Sequence, residues 1–204
     1  MIHVVARPEP VHFNDAVRKP GLKYLAATPQ PTADEWKSHA YWSRVKDDLY
    51  DAYDHVCAYS CFWIPPTGSR TCDHFKPKDW KPKLAYEWKN FRLMNGILNG
   101  RKTNHRHLLD PFKIQDGWFV LDFPSLLVHP ASNLPSKTSA KVQTTIDVLK
   151  LNDDGTCRRE RTDWLRAYCI GPMDFAFLQT MAPFLALELQ RQNLASTITS
   201  IMRF

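Results

Sequence analysis

A short segment in the middle of the chain carries polar residues whose types suit hydrolysis at a divalent cation. Asp73 and His74 are adjacent, and Asn90, Asn99 and Lys102 follow downstream. A neutral imidazole with an ordinary pKa of about 6.5 can take a proton from water, so His74 is a candidate general base. The Asp73 carboxylate is a hard oxygen ligand suited to Mg²⁺ or Mn²⁺. His74 alone would be read as a structural histidine, but the two asparagines favour the catalytic role.

These residues need a strand, a loop, a second strand and a helix to bring them together. Adjacent side chains of a strand point to opposite faces, so Asp73 and His74 can serve one site only where a strand ends. Pro77 supplies such an ending, and residues 91–94 alternate weakly enough to pair back as a second strand. Asn95 is a plausible N-cap for a helix that carries Asn99 and Lys102 on one face. The expected order is therefore β, β, α.

Positive charge is concentrated around this segment. Between Arg70 and Arg106 there are ten Lys or Arg against three Asp or Glu, a net charge of +7 (10 − 3), whereas the whole chain carries +6. Such a patch is typical of a phosphate-binding surface, although a solvated basic face is the simpler alternative. Lys76, Lys78 and Arg101 are the candidate contacts to a nucleic-acid backbone.

The pattern resembles the HNH endonucleases, whose active site is a ββα-metal finger. The match consists of Asp73-His74 at the end of the first strand, Asn90 before the second, and Asn99-x-x-Lys102 on the helix, with a spacing of nine between the asparagines (99 − 90). The resemblance implies that Asp73 and Asn99 hold one Mg²⁺ or Mn²⁺ and that His74 activates water. It also implies that Asn90 fixes the loop and the histidine, and that Lys102 touches phosphate.

Within that family, the string "CAYSC…DHFKPK…LAYEWKNFRL…N..K…LDPF" is similar to the nuclease subunits of Septu-type anti-phage systems. The similarity covers residues 57–112. It implies a DNA endonuclease that acts as the effector of a bacterial defence system and is controlled by a partner such as an ATPase. A homo-oligomer is a separate alternative. The alternative is a non-catalytic nucleic-acid-binding module, or a partner-controlled subunit, that uses the finger as a scaffold.

The cysteines depart from the pattern of many HNH nucleases, which brace the finger with zinc held by two Cys pairs. Cys57 and Cys61 are spaced Cys-x-x-x-Cys, but the corresponding downstream positions are Asn95 and Leu98. Other residues that could complete a zinc site are Cys72, His105 and His107. Without a second pair, a structural zinc is not expected, and buried thiols are the favoured interpretation.

The sequence predicts an α+β fold, in which an HNH ββα-metal finger is embedded in a mostly helical single domain. Residues 1–56 are expected to form an N-terminal arm and a helix, 57–112 the finger, and 113–204 a β-hairpin and a C-terminal helical region. Five prolines before position 32 favour an extended arm. A capping box at Thr32–Glu35 predicts one helix with an apolar face reaching Val56.

The remaining patterns predict a hairpin and three helices. The strands are expected at 118–123 and 126–129, and the helices at 139–151, at 158–168 and from 173 onward with a kink at Pro183. Neither a secretory signal nor an apolar stretch of the roughly 20 residues that a membrane span needs is visible. A cytoplasmic protein with no membrane partner is therefore expected.

Overall fold

The structure, a computed structural model, describes residues 1–202 and combines short helices with two small antiparallel sheets. This mixture confirms the coarse α+β class. The chain divides into two compact units. The finger unit comprises Val5–Cys57 and Ile64–Arg106. The hairpin unit comprises Met1–Val4, Ala58–Trp63 and the chain from His107 onward.

The centre of the finger unit is a strand–strand–helix motif. Strand β1 (Arg70–His74) pairs antiparallel with β2 (Phe91–Asn95), and helix α4 (Gly96–Lys102) follows β2 directly. The predicted N-cap is confirmed, because the Asn95 side chain accepts a hydrogen bond of 2.9 Å from the backbone N–H of Ile97. An N-cap oxygen satisfies an otherwise unpaired N–H of the first helical turn.

The first helix lies in a segment for which the sequence predicts an extended arm. A π-helical turn (Asn14–Arg18) leads into α1 (Lys19–Ala27), so the prediction is wrong for these residues. Pro20 lies at the start of α1, directly after the wider π-helical turn. Phe13 is fully buried and packs edge-on against the ring of Trp88, which ties this segment to the core.

The next helical segment is broken where one helix is predicted. The capping box at Thr32 is confirmed and starts α2 (Ala33–Ser38), but a 3-10 turn (Tyr41–Val45) separates α2 from α3 (Lys46–Ala52). The Tyr86 hydroxyl donates a 2.9 Å hydrogen bond to the carbonyl of His39, just after α2. A side chain distant in sequence thus engages a carbonyl that a continuous helix would use.

The hairpin unit contains the predicted β-hairpin, which is confirmed. Strand β3 (Phe119–Asp122) pairs antiparallel with β4 (Leu127–Pro130). The helices that follow are α5 (Ser136–Leu149), α6 (Cys157–Ile170), α7 (Phe175–Met181), α8 (Pro183–Arg191) and α9 (Ile198–Ile201). The long helix predicted from 173 onward is divided at Pro183, where a kink is predicted: α7 ends at Met181 and α8 begins at Pro183. Within the described residues, none of the helices is long and apolar enough to cross a membrane.

Candidate active site

The site is built on the interface between β1 and α4. Thr71 and Asp73 are two residues apart on the strand and so share one face, while Asn99 and Lys102 share one face of the helix. The Asn99 Nδ2 donates to Thr71 Oγ1 at 3.1 Å, and the Lys102 Nζ contacts Asp73 Oδ1 at 2.8 Å. Because the Thr71 hydroxyl donates to a main-chain carbonyl, its oxygen must accept from Asn99, which leaves the Asn99 amide oxygen as a possible cation ligand.

Lys102 is the most deeply buried charge of this interface. Its side chain is 1% exposed and that of Asp73 is 3% exposed. The ammonium also donates to the main-chain carbonyl of His74 at 2.8 Å. A buried charge needs this combination of counter-charge and hydrogen bonds to offset its desolvation. The Lys102 charge therefore lies inside the protein against Asp73, although the resemblance predicts a contact between Lys102 and phosphate.

His74 lies at the end of β1 in an aromatic environment. Its ring packs edge-on against Trp42, with ring centroids 4.7 Å apart, and against Phe91 at 5.3 Å. Its Nε2 lies 2.9 Å from the main-chain carbonyl of Ala85. Since a carbonyl can only accept, Nε2 carries the proton of the neutral ring, and Nδ1 keeps the lone pair that a general base needs.

The surroundings keep this imidazole neutral. Burial lowers the pKa of His74 to about 3, the Ala85 hydrogen bond opposes that decrease, and the positive charges of Lys78 and Lys102 add to it. Because the pKa lies far below neutrality, the ring is unprotonated at physiological pH. The ring is therefore in the proton-accepting form, although a pKa this low makes it a weaker base than an imidazole with a pKa near 6.5.

Asn90 fixes the loop between the two strands. Its Oδ1 accepts from the main-chain N–H of Lys76 at 2.8 Å, and its Nδ2 donates to the carbonyls of Lys76 and Leu84 at 3.0 and 3.1 Å. Asn90 is buried, so these bonds are shielded from water. One side chain thereby holds the loop at two points, Lys76 near His74 and Leu84 next to Ala85.

The structure thus brings all five motif residues into the finger unit, in two neighbouring groups. Asp73, Asn99 and Lys102 lie along the strand–helix interface. The ring of His74 contacts a different set of residues, and the loop held by Asn90 supplies the carbonyl that orients it. The two groups interact electrostatically, since the Lys102 charge contributes to the low pKa of His74.

The predicted phosphate contacts lie nearer the surface than Lys102. Lys76, Lys78 and Arg101 are each half-buried. The Lys76 ammonium lies 4.7 Å from the centroid of the Phe75 ring, and that of Lys78 lies 6.0 Å from the Trp42 ring. Long cationic side chains that rest on rings in this way keep their charged ends near solvent.

The donor types at the strand–helix interface fit a magnesium or manganese ion bound mainly through water and substrate. A carboxylate and an amide oxygen are hard ligands, and Mg²⁺ is usually held by one or two protein oxygens together with waters and phosphate oxygens. A carboxylate has several lone-pair sites, so the ammonium on Asp73 Oδ1 does not exclude a cation. Over residues 1–202, no group of three or more His, Cys, Asp or Glu is arranged to hold an ion.

The cysteines of the finger unit are buried thiols. Cys57 Sγ accepts a hydrogen bond of 3.4 Å from the main-chain N–H of Asn95, at the start of α4. Cys72 lies on β1 between Thr71 and Asp73, and burial raises the pKa of its thiol. A thiol with a raised pKa is less available as a thiolate ligand.

Comparisons with known proteins do not assign the chain to a family. No protein-family model matches the sequence, and no curated protein is significantly similar to it. The functional argument therefore depends on the arrangement of the residues themselves.

Sequence reasoning missed the groups that surround the motif residues. Trp42 lies within the helix that the sequence predicts from Thr32 to Val56, and its ring contacts His74. The carbonyl of Ala85 and the hydroxyl of Thr71 give no signal of their own, because a main-chain acceptor and a strand threonine occur in every protein. Only the position of Thr71, two residues before Asp73 on one strand face, could have pointed to it.

Proposed function

We propose that the protein is a metal-dependent endonuclease that hydrolyses phosphodiester bonds in DNA and uses an HNH-type ββα finger. The proposal is supported above all by one observation. A neutral, buried histidine is oriented by a main-chain carbonyl at the end of β1, next to an interface that pairs a carboxylate with an asparagine-bearing helix. The Ala85 contact places the ring proton on Nε2, so that Nδ1 carries the lone pair that a proton acceptor needs.

In the proposed reaction the protein residues position and move a proton. Nδ1 of His74 takes a proton from the attacking water, and the Ala85 carbonyl holds the ring in the tautomer that allows this. Asn90 maintains the loop that carries that carbonyl. A divalent cation bound by Asp73 and Asn99 would supply electrostatic stabilisation of the phosphate and of the leaving oxygen.

The decisive experiment is a plasmid-nicking assay with Mg²⁺ or Mn²⁺. We expect His74→Ala to reduce cleavage by about 10²–10⁴-fold, the usual contribution of a general base, while DNA binding changes less than about twofold. EDTA should abolish cleavage by the wild-type protein. His12→Ala serves as the control, because His12 is exposed. Cleavage by His74→Ala at close to the wild-type rate would contradict the assignment.

A second candidate function is a nucleic-acid-binding module without catalysis. The buried ion pair between Lys102 and Asp73 favours it, because an ammonium already neutralises the carboxylate. The basic surface alone would suffice for such a module. Binding of DNA with no nicking in either metal would support this alternative and contradict the nuclease.

The biological setting follows only from the resemblance. We propose that the nuclease acts as an effector of a bacterial anti-phage defence system and that a partner protein, such as an ATPase, controls it.

A further inference from the structure

Three cationic side chains of the finger unit converge on the ring of Trp80. The charged groups of Lys76, Lys81 and Arg106 lie 5.2, 5.1 and 5.2 Å from the centroid of its indole. Trp80 is half-buried, whereas Lys81 and Arg106 are exposed. The cluster therefore presents positive charges to solvent around the indole of Trp80. We refer to these four residues as the Trp80 cluster.

The Trp80 cluster concentrates like charges that repel each other. The attraction of each cation to the indole face, about 0.5–1 kcal/mol at an exposed site, partly offsets that repulsion. Asp79 is the adjacent carboxylate, and it accepts a hydrogen bond of 3.1 Å from Asn104, which holds the segment before Arg106 against the loop. An arrangement that gathers three positive charges on one ring becomes more favourable when an anion binds it.

The position of the cluster relates it to the candidate active site. Lys76 follows His74 by two residues, and Asn90 binds both the N–H and the C=O of Lys76. The side chain that fixes the histidine loop thus also fixes the backbone of one member of the cluster. An anion bound there would contact Lys76, which is only two residues from His74, the proposed general base.

We propose that the Trp80 cluster is a phosphate-binding site for the DNA strand beside the scissile phosphodiester. The proposal rests on the proposed function and extends it, because it adds Trp80, Lys81 and Arg106 to the substrate contacts. The indole organises the three cations, so its loss weakens binding even though every charge remains.

The test measures the binding of a fluorescein-labelled 20-bp DNA duplex by anisotropy in EDTA, across a range of salt concentrations. The cluster variant is Lys76→Gln/Lys81→Gln/Arg106→Gln. Its matched control removes the same charge from exposed lysines elsewhere, Lys23→Gln/Lys113→Gln/Lys137→Gln. A third variant, Trp80→Leu, keeps all the charges. Circular dichroism melts verify that each variant is folded.

We expect the cluster variant to bind at least about tenfold more weakly at 100 mM salt. Its slope of log K against log[salt] should fall by about 2–3, since each phosphate contact contributes about 0.9. The control triple should lower the slope by less than about 1. Trp80→Leu should weaken binding about 3–10-fold. If it does not fold, the two triple variants still decide the question.

Equal losses in the two triple variants would overturn the proposal, as would a wild-type protein that does not bind the duplex. These outcomes are distinct from failure of the nuclease assignment, which is read from nicking with metal present. Binding that depends on the cluster without any nicking would retain the phosphate site and contradict the nuclease. Nicking, together with binding that does not depend on the cluster, would support the nuclease and contradict the phosphate site.

Discussion

At the scale of single residues, Lys102 shows how far a motif can be interpreted before contacts are known. Its spacing from Asn99 correctly brings both side chains to one face of α4, opposite β1. The sequence could not indicate that its ammonium would contact Asp73, because a lysine reaches partners over a wide radius. The buried contact favours an interpretation of Lys102 as the residue that holds the Asp73 carboxylate, beside the phosphate contact that the resemblance implies.

Replacing Lys102 by methionine should destabilise the protein strongly, because the Asp73 carboxylate would be left buried without its counter-charge. Breaking a buried pair in this way costs about 3–5 kcal/mol, measurable as a lower midpoint of urea unfolding. Lys37→Met is the control, since Lys37 pairs with Asp34 at the surface and both side chains are largely exposed. Unchanged midpoints for Lys102→Met would refute a stabilising role for the pair.

The buried imidazole of His74 should make stability depend on pH. Its pKa is about 3 when folded, and about 6.5 is expected when unfolded, so the unfolded chain binds the extra proton as the pH falls. The stability that His74 contributes is therefore complete above about pH 6.5 and is lost as the pH decreases toward 3, at up to about 1.4 kcal/mol per pH unit.

Urea unfolding of the wild type and of His74→Gln between pH 4 and 7.5 measures this effect as the difference between the two pH profiles. His105→Gln is the control, because His105 is exposed. Parallel profiles for wild type and His74→Gln would be inconsistent with a buried neutral ring.

At the scale of helices and strands, the predictions that depend on residues close together in sequence, such as helix caps, were confirmed. Thr32 and Asn95 were predicted as caps because a cap acts within three residues of itself, and both were confirmed. The helix predicted through residue 56 is interrupted by the 3-10 turn Tyr41–Val45, next to the carbonyl of His39 that accepts a hydrogen bond from the distant Tyr86. The extended arm predicted from the prolines before position 32 is wrong, since Pro20 lies within a helical segment, directly after a π-helical turn.

Two helical glycines should respond oppositely to substitution by alanine. A Cβ on Gly21 of α1 would lie 2.1 Å from Cγ of Tyr86, whose ring is fully buried, so the ring or the helix must shift. We expect Gly21→Ala to lower the free energy of unfolding by about 1–3 kcal/mol. A Cβ on Gly100 of α4 would have no neighbour within 4 Å, so Gly100→Ala should be neutral or stabilising by up to about 1 kcal/mol.

Chemical denaturation of both variants provides this comparison, and each serves as the control for the other. Equal effects of the two substitutions would show that α1 does not pack against Tyr86 as closely as described.

At the scale of the whole molecule, charge is distributed unevenly along the chain. The segment from Arg70 to Arg106 has a net charge of +7, and the rest of the chain therefore carries −1 (17 − 18). A polyanion that approaches the protein is attracted to the finger unit and not to the remainder. Charge counting could predict this asymmetry, but not the gathering of three cations on one indole, which requires the loop and the segment after α4 to meet.

The thiols have a practical consequence for measurements on the intact protein. Cys57, Cys61, Cys72 and Cys157 are buried, and Cys169 alone among the five is half-buried. Burial also raises the pKa of Cys169, so its alkylation should be slow at neutral pH and faster at pH 8.5. We expect the folded protein to take up one equivalent of a maleimide dye, as read by intact-mass spectrometry, and Cys169→Ser to take up none. A dye attached at that single point would report on tumbling and complex formation without any engineered cysteine, whereas labelling at several sites would mean that the interior opens.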